Sequence, residues 1–367
     1  MSRSKGIRVF ILGAGCSIEC GYPPGTGLRT ELERFHHEVP DRCPGTKQSV
    51  TDTIKLLGDL PRIETLDQLA SYCDGSVGAW TRKHGPIIED EADFGGRKRG
   101  AAKGIFDAKM ATSAMFLFRE DAARRTGLPR YKRLITEILG GEPWRDALQE
   151  TSCHVLTFNY DRLFEIAFLE MFPSFDRREH FLYAEEALNS GFLLYGDYDL
   201  ADPPPGRFCF LKLHGSAGWC VKRKIGSGRQ YSLSVPAGAM SLVEIEKSIP
   251  KERDPLSGPE PLIAFPHERQ GSQNYLKGQG KSSDYLWAPY IDSVWKHAAA
   301  LVADATEIKV IGYSFNPIDS RYMVAELLGK AECEKITIQN KDAEAVRNNL
   351  ASYTQLRDRL EFDSTPF

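Results

Sequence analysis

The sequence predicts an α/β chain built on a doubly wound, Rossmann-like parallel sheet, and three observations lead there. Five short apolar runs rich in strand-forming residues recur along the chain. Helical patterns fall between them, and each run is followed by a turn residue or a polar functional residue.

The first run, IRVFILG at residues 7 to 13, is apolar almost throughout instead of alternating, as suits a strand covered by helices on both faces. The helical pattern GTGLRTELERF follows it. The second run, HVLTF at 154 to 158, leads into the helical YDRLFEIAFLEMF, and the third is FCFLKLH at 208 to 214. Before the fourth, IKVIGYS at 308 to 314, lies PYIDSVWKHAAALVADA, in which Ile291, Trp295, Ala299 and Val302 recur at helical spacing. PIDSRYMVAELLGKA follows as another helix, and KITIQN at 335 to 340 is the fifth strand.

Two stretches interrupt this alternation. Residues 40 to 150 hold the helical patterns IETLDQLASYC and KMATSAMFLFREDAARR, joined by FGGRKRGAAKG, and read as a helical insertion. The basic run Arg97 to Arg99 is expected in a solvated loop, not on a nucleic acid. Residues 218 to 285, with their Pro, Gly and Ser and a few short strand-like pieces, read as a smaller loop-rich insertion. The apolar faces of KMATSAMFLF and WAPYIDSVWKHAAALV are expected to pack in the core. Residues 1 to 367 are then one domain carrying two insertions.

Composition bounds the function. With 41% hydrophobic and 26% charged residues and a net charge of −3, nothing favours direct nucleic-acid or membrane binding. No apolar span reaches the roughly 18 to 20 residues of a membrane helix, and the basic start lacks a cleavage region, so a cytoplasmic location is expected. The eight cysteines are scattered and read as reduced thiols. Without a Cys-x-x-Cys pair or a histidine cluster, no metal is expected.

The chemistry gathers at the strand ends. Gly13-Ala14-Gly15 turns sharply after the first strand, and such a turn bares backbone N–H groups for an anion such as a diphosphate. Ser17 adds a hydroxyl, and the next helix its positive end. The same turn also reads as a tight strand-to-helix connection with no ligand. In TFNYD, Thr157, Asn159 and Asp161 follow the second strand, at the carboxyl edge where open α/β sheets bind ligands. Asn159 and Asp161 read equally as caps of the following helix. In FLKLHGS, His214 ends the third strand and Gly215 permits close approach; a structural histidine is the plainer alternative.

Together these residues resemble the sirtuins, and within them the divergent NAD-hydrolysing sirtuin-like proteins of bacterial antiphage defence. Gly13, Ala14, Gly15, Ser17, Gly21 and Pro23 match the opening Gly-Ala-Gly-x-Ser turn and its Gly-x-Pro. Thr157, Asn159 and Asp161 match Thr-Gln-Asn-x-Asp, and Leu213, His214 and Gly215 match Leu-His-Gly. Gly312 and Ser314 match a late Gly-Thr-Ser, and Asn340 the asparagine after the next strand. The chain departs from the family at Phe158, in place of glutamine, and at Tyr313, in place of threonine. It also lacks the four-cysteine zinc module of the protein deacylases.

The resemblance implies NAD as substrate and cleavage of its nicotinamide–ribose bond. It implies that His214 acts as general base, that Asn159 places water and touches the ribose, and that Asp161 helps hold the carboxamide. Gly13, Ala14, Gly15, Ser17 and Ser314 would hold the diphosphate and Asn340 the adenosine ribose, with Pro23, Thr157 and Gly312 completing the cofactor-binding set. Asp319 is a weaker candidate that also reads as a helix cap. The resemblance further implies a regulated homo-oligomer that depletes cellular NAD, gated by a partner such as a DNA-translocating ATPase or an Argonaute. Two other functions remain open at this point: an NAD-dependent protein deacylase, and a sensor that binds NAD or ADP-ribose without turning it over.

Overall fold

A computed structural model describes residues 6–23, 27–58, 96–139, 153–171, 210–223, 231–234, 260–264, 288–315 and 322–367. Its strands, numbered along the chain, are β1 (Ile7–Leu12), β2 (Cys153–Thr157), β3 (Phe210–Lys212), β4 (Gly215–Arg223), β5 (Tyr231–Ser234), β6 (Glu260–Ile263), β7 (Ala305–Ile311), β8 (Ile336–Gln339) and β9 (Leu360–Asp363). The helices are α1 (Gly15–Ile18), α2 (Leu28–Glu38), α3 (Pro44–Gly58), α4 (Gly96–Leu139), α5 (Leu163–Met171), α6 (Ala288–Ala303) and α7 (Ala343–Leu350).

Six strands form one sheet in the order β3-β2-β1-β7-β8-β9, and every neighbouring pair is parallel. The chain winds outward from β1 to β3, crosses back to the far side of β1 at β7 and winds outward again to β9. This is the doubly wound Rossmann-like sheet expected from the sequence, with its switch point between β1 and β7. The apolar runs explain it: Ile11, Leu12, Val155, Leu156, Ile308, Val310, Ile336 and Ile338 are all buried. Each such side chain contributes roughly 1.5 to 3 kcal/mol on removal from water.

The sixth strand, β9, was not expected. LEFD lies at the sheet edge with its side chains half-buried or exposed, so it carries no apolar run to betray it. The helix before it, α7, is started by Asp342, whose side chain accepts from the Ala345 N–H at 3.2 Å. The stretch read as a helix over 317 to 331 is a π-helical turn at Met323–Leu327 and a 3-10 turn at Leu328–Lys330, and its beginning lies outside the described residues.

The chain divides into two compact units. The first comprises Met1–Tyr22, Glu120–Gly215 and Trp287–Phe367 and holds the six-stranded sheet. The second comprises Pro23–Arg119 and Ser216–Leu286. It contains α2, α3 and a three-stranded sheet in the order β5-β4-β6, with β4 and β5 antiparallel. Within it Phe106, Met110, Leu117 and Ala217 form an apolar cluster, and Ser49 Oγ donates to Asp107 Oδ1 at 3.0 Å, tying α3 to α4.

Helix α4 runs for 44 residues and corrects one expectation. The Arg97 to Arg99 run lies in its first turns and not in a loop. Arg, Lys and Ala are strong helix formers, and the flanking glycines cost only about 1 kcal/mol each, so the segment stays helical. Residues 120 to 139 of α4, read from the sequence as part of the insertion, belong to the unit of the six-stranded sheet. IETLDQLASYC lies outside the described residues.

Candidate functional site

The register of the sheet sets the site. Leu12 pairs with Thr157 on one side and Ile311 on the other, while Thr157 pairs with Lys212 and Ile311 with Gln339. Five strands therefore end at one level. Gly13, Phe158 and Asn159, Leu213 and His214, Gly312, and Asn340 leave the sheet along a single edge, and the β1 and β7 tips flank its switch point.

The glycines there serve the protein's own packing. Gly13 N–H donates to Ile311 O at 2.9 Å and Gly15 N–H to Gly312 O at 2.7 Å. A Cβ on Gly13 would lie 2.5 Å from Tyr313 Cα, and one on Gly15 2.6 Å from Gly312 O. A Cβ on Gly312, at φ 65°, would likewise lie 2.5 Å from Cys16 N. The two amides expected to face an anion are thus taken by the neighbouring strand, because β1 and β7 turn off the sheet side by side. Ala14, exposed at the crest of the turn, has no acceptor for its N–H among the described residues. Helix α1 is a single turn.

Behind this turn lies a buried polar cluster. Ser17 Oγ donates to Asp161 Oδ2 at 2.6 Å, meets the Tyr131 hydroxyl at 2.9 Å and receives Asn159 Nδ2 at 3.2 Å. Ser17 owns one hydroxyl hydrogen, and the carboxylate can only accept, so that hydrogen points to Asp161. Ser17 therefore offers no proton to a phosphate. Asp161 Oδ1 accepts the Leu163 N–H at 3.0 Å and starts α5, the capping role that its sequence also allowed. Thr157 Oγ1 accepts the Asn159 N–H at 3.1 Å, fixing the first bend of the loop. Asn159 is only 7% exposed, and its Oδ1 is buried with no hydrogen-bond partner. Such an orphan costs about 1 to 3 kcal/mol and marks a place where a donor is missing.

His214 stands beside this cluster in an aromatic enclosure. Its ring meets Phe158 edge-on at 5.1 Å and Tyr160 at 6.3 Å, the two residues on either side of Asn159. Trp295 of α6 lies 6.4 Å away, and its Nε1 donates to Leu213 O at 3.0 Å, holding the backbone that carries His214. Phe158 also contacts Trp295 and, at 4.8 Å, Tyr313. The residues that depart from the family pattern, Phe158 and Tyr313, are thus packed against each other next to the histidine.

The β7 tip is tied down carbonyl by carbonyl. Besides Gly312 O, Tyr313 O accepts from Asn340 Nδ2 at 3.0 Å and Ser314 O from Asn349 Nδ2 at 2.9 Å. Asn340 Oδ1 accepts the Asp342 N–H at 2.9 Å, so this asparagine braces the β7 and β8 tips. The Ser314 residue itself is exposed. Pro23 belongs to the second unit, and Asp319 lies outside the described residues.

Three features of the first unit were not singled out in the sequence. Lys212, fully buried, pairs with Glu165 Oε1 at 3.0 Å and donates to the Asp161 carbonyl. Burial pushes the Glu165 carboxyl up, against the pull of Lys212. A lysine inside an apolar strand was the available signal. Arg162 makes a two-pronged bond to Glu120 of α4, at 2.7 and 2.9 Å. Tyr131, also from α4, carried no signal, since its hydrogen-bond partner Ser17 lies 114 residues away along the chain.

Among the described residues no group of three His, Cys, Asp or Glu side chains is placed to hold a metal ion, and no helix is long and apolar enough to cross a membrane.

No family model and no curated protein matches the chain. Solved structures do. A Sir2 homologue in complex with NAD aligns over 99% of this chain and 86% of its own, at 14% identity and a TM-score of 0.41. A mutant Sir2 homologue with ADP-ribose aligns over 99% and 88%, at 13% identity and 0.38. Another mutant, with 2′-O-acetyl-ADP-ribose, aligns over 95% and 93%, at 14% and 0.38. At these identities and TM-scores the likeness carries no functional argument; the residues at the strand tips carry it.

Proposed function

We propose that the chain binds NAD across the carboxyl edge of its six-stranded sheet and hydrolyses the nicotinamide–ribose bond. The observation that carries this reading is the buried, unpartnered Oδ1 of Asn159, on a loop whose neighbouring rings enclose His214. In the reaction the C1′–N bond breaks with its electron pair passing to the pyridinium nitrogen, so nicotinamide leaves neutral and needs no acid. Water then adds to the cationic ribose carbon. Asn159 Oδ1 would accept a hydrogen from that water or from a ribose hydroxyl, placing it. His214 would take the proton released. The products are nicotinamide, ADP-ribose and a proton. Asp161, engaged by Ser17 and the α5 N-terminus, would hold the loop and leave the carboxamide to other groups. The exposed Ala14 N–H and Ser314 are the groups offered to the diphosphate, with Asn340 bracing the adenosine side.

The wider role in this reading is a cytoplasmic effector of antiphage defence that depletes NAD as a homo-oligomer under a partner's control; it is supported by the sequence resemblance alone. Chromatography of NAD incubated with the purified protein tests the chemistry, run with and without the products of neighbouring genes. Nicotinamide and ADP-ribose are expected in equal amounts without any peptide, and His214→Ala should lower the rate by about 100-fold or more. NAD left intact under every condition overturns the proposal. Nicotinamide released only with an acyl-lysine peptide would make the protein a deacylase.

A further inference from the structure

The Tyr131 hydroxyl is a polar group on α4 that the proposed reaction does not use. It lies in the sheet unit, 1% exposed, 2.9 Å from Ser17 Oγ. Its ring is wedged edge-on between Phe164 and Phe367 at 6.3 and 5.5 Å. Burial and the nearby Asp161 carboxylate push the phenol well above its ordinary range, so it keeps its proton.

The direction of every bond in the cluster then follows. Ser17 gives its one hydrogen to Asp161 over 2.6 Å, so the Tyr131 contact can be a hydrogen bond only if tyrosine donates. The remaining lone pair of Ser17 faces Asn159 at 3.2 Å. That partner must be the amide NH₂, because the carbonyl oxygen there would set two acceptors against each other. Were Asn159 turned over, Ser17 would have to reclaim its hydrogen from Asp161 and leave that carboxylate buried beside a lone pair. The amide thus presents Nδ2 inward and leaves Oδ1 as the atom without a partner.

We propose that Tyr131 is a positioning residue: by donating to Ser17 it holds the serine oxygen where it accepts the Asn159 NH₂, and so steadies Oδ1 as the ligand-facing acceptor, so that the group met there is a donor, a hydroxyl or a water. The inference deepens the NAD-hydrolase reading and rests on it for the identity of that hydroxyl; the orientation of the amide rests on the cluster alone. α4 suits the task. Glu120 and Tyr131 are eleven residues apart, close to three whole turns, and so lie on one face. That face grips Arg162 at one end and Ser17 at the other, bracketing the loop that carries Asn159.

Tyr131→Phe keeps the wedged ring and deletes the donor. Two readouts on the full chain separate the outcomes. The first uses asparagine-selective 15N labelling of ligand-free protein, with Asn159→Ala to assign the Asn159 side-chain NH₂ pair. In Tyr131→Phe this pair is expected to shift or broaden and its hydrogens to exchange faster. The second is kinetic: kcat for NAD should fall about five- to tenfold with KM within twofold of wild type, as one lost hydrogen bond predicts. A merely structural tyrosine would lower the melting temperature and leave both readouts as they were. An unchanged NH₂ pair overturns the proposal whatever the activity, and so does a changed pair with unchanged kcat. If wild type leaves NAD intact, the hydrolase reading falls, and the NH₂ pair alone still decides the role of Tyr131.

Discussion

Ser17 is the hub of a buried hydrogen-bond cluster. In the structure its hydrogen goes to Asp161 and its lone pairs to Asn159 and Tyr131, all buried. Ser17→Ala should therefore act on stability before affinity. Three buried groups lose a partner at once, and a loss of about 2 to 4 kcal/mol in urea unfolding is expected. A variant of wild-type stability with only a raised KM would restore the phosphate-donor reading. Asn159 and His214 were legible as candidates because short motifs at strand ends carry them. Tyr131 was not, since nothing local distinguishes a core tyrosine from one that points a hydroxyl at a serine far along the chain.

At the scale of elements, the β1 and β7 tips are interlocked through glycines. Gly15→Ala would drive a Cβ to within 2.6 Å of Gly312 O and 2.9 Å of Gly312 Cα, both backbone atoms that yield only if a strand end moves. Gly21, at φ 96°, has open space around it, so alanine there meets backbone strain alone. Thermal melts should rank Gly15→Ala well below Gly21→Ala, the second costing about 1 kcal/mol. Equal melting of the two would contradict the interlock. At the end of β3, the Lys212–Glu165 pair joins the strand that leads to His214 to α5. Lys212→Met strands a buried carboxylate and should cost about 3 to 5 kcal/mol in urea unfolding at neutral pH. Adding Glu165→Gln should recover part of it; a double variant no better than the single would show that the charge pair is not the cause. The five apolar runs announced their strands because burial on both faces leaves little choice of residue. β9 stayed hidden because an edge strand with half-buried side chains has no such constraint. The basic start of α4 was misread because glycines were weighed above the helix formers between them.

At the scale of the whole molecule, one source of acid sensitivity lies on β2. His154, on β2 opposite Val9, is 5% exposed, and burial pushes its imidazole down from 6.5 to about 4. The folded chain holds it neutral while the unfolded chain takes up a proton. Its contribution is complete above the ordinary value and is lost as pH falls from about 6.5 to about 4, amounting to about 3 kcal/mol. Urea unfolding at pH 7 and pH 4.5 should show a smaller drop for His154→Gln than for wild type; parallel drops would contradict this assignment. The doubly wound topology was readable from the alternation of runs and helices. The small sheet β5-β4-β6 showed only as a few strand-like pieces, since its strands are set among loop-forming residues.

In the proposed reading, one edge of the large sheet gathers a single nucleotide site around the orphan oxygen of Asn159. Calorimetric titration of ADP-ribose into the ligand-free protein reads that binding apart from any turnover. One saturable site is expected for wild type, weakened about tenfold or more in Asn159→Ala, the scale of a lost buried hydrogen bond. No saturable heat with wild type, or equal affinity in the variant, would contradict it.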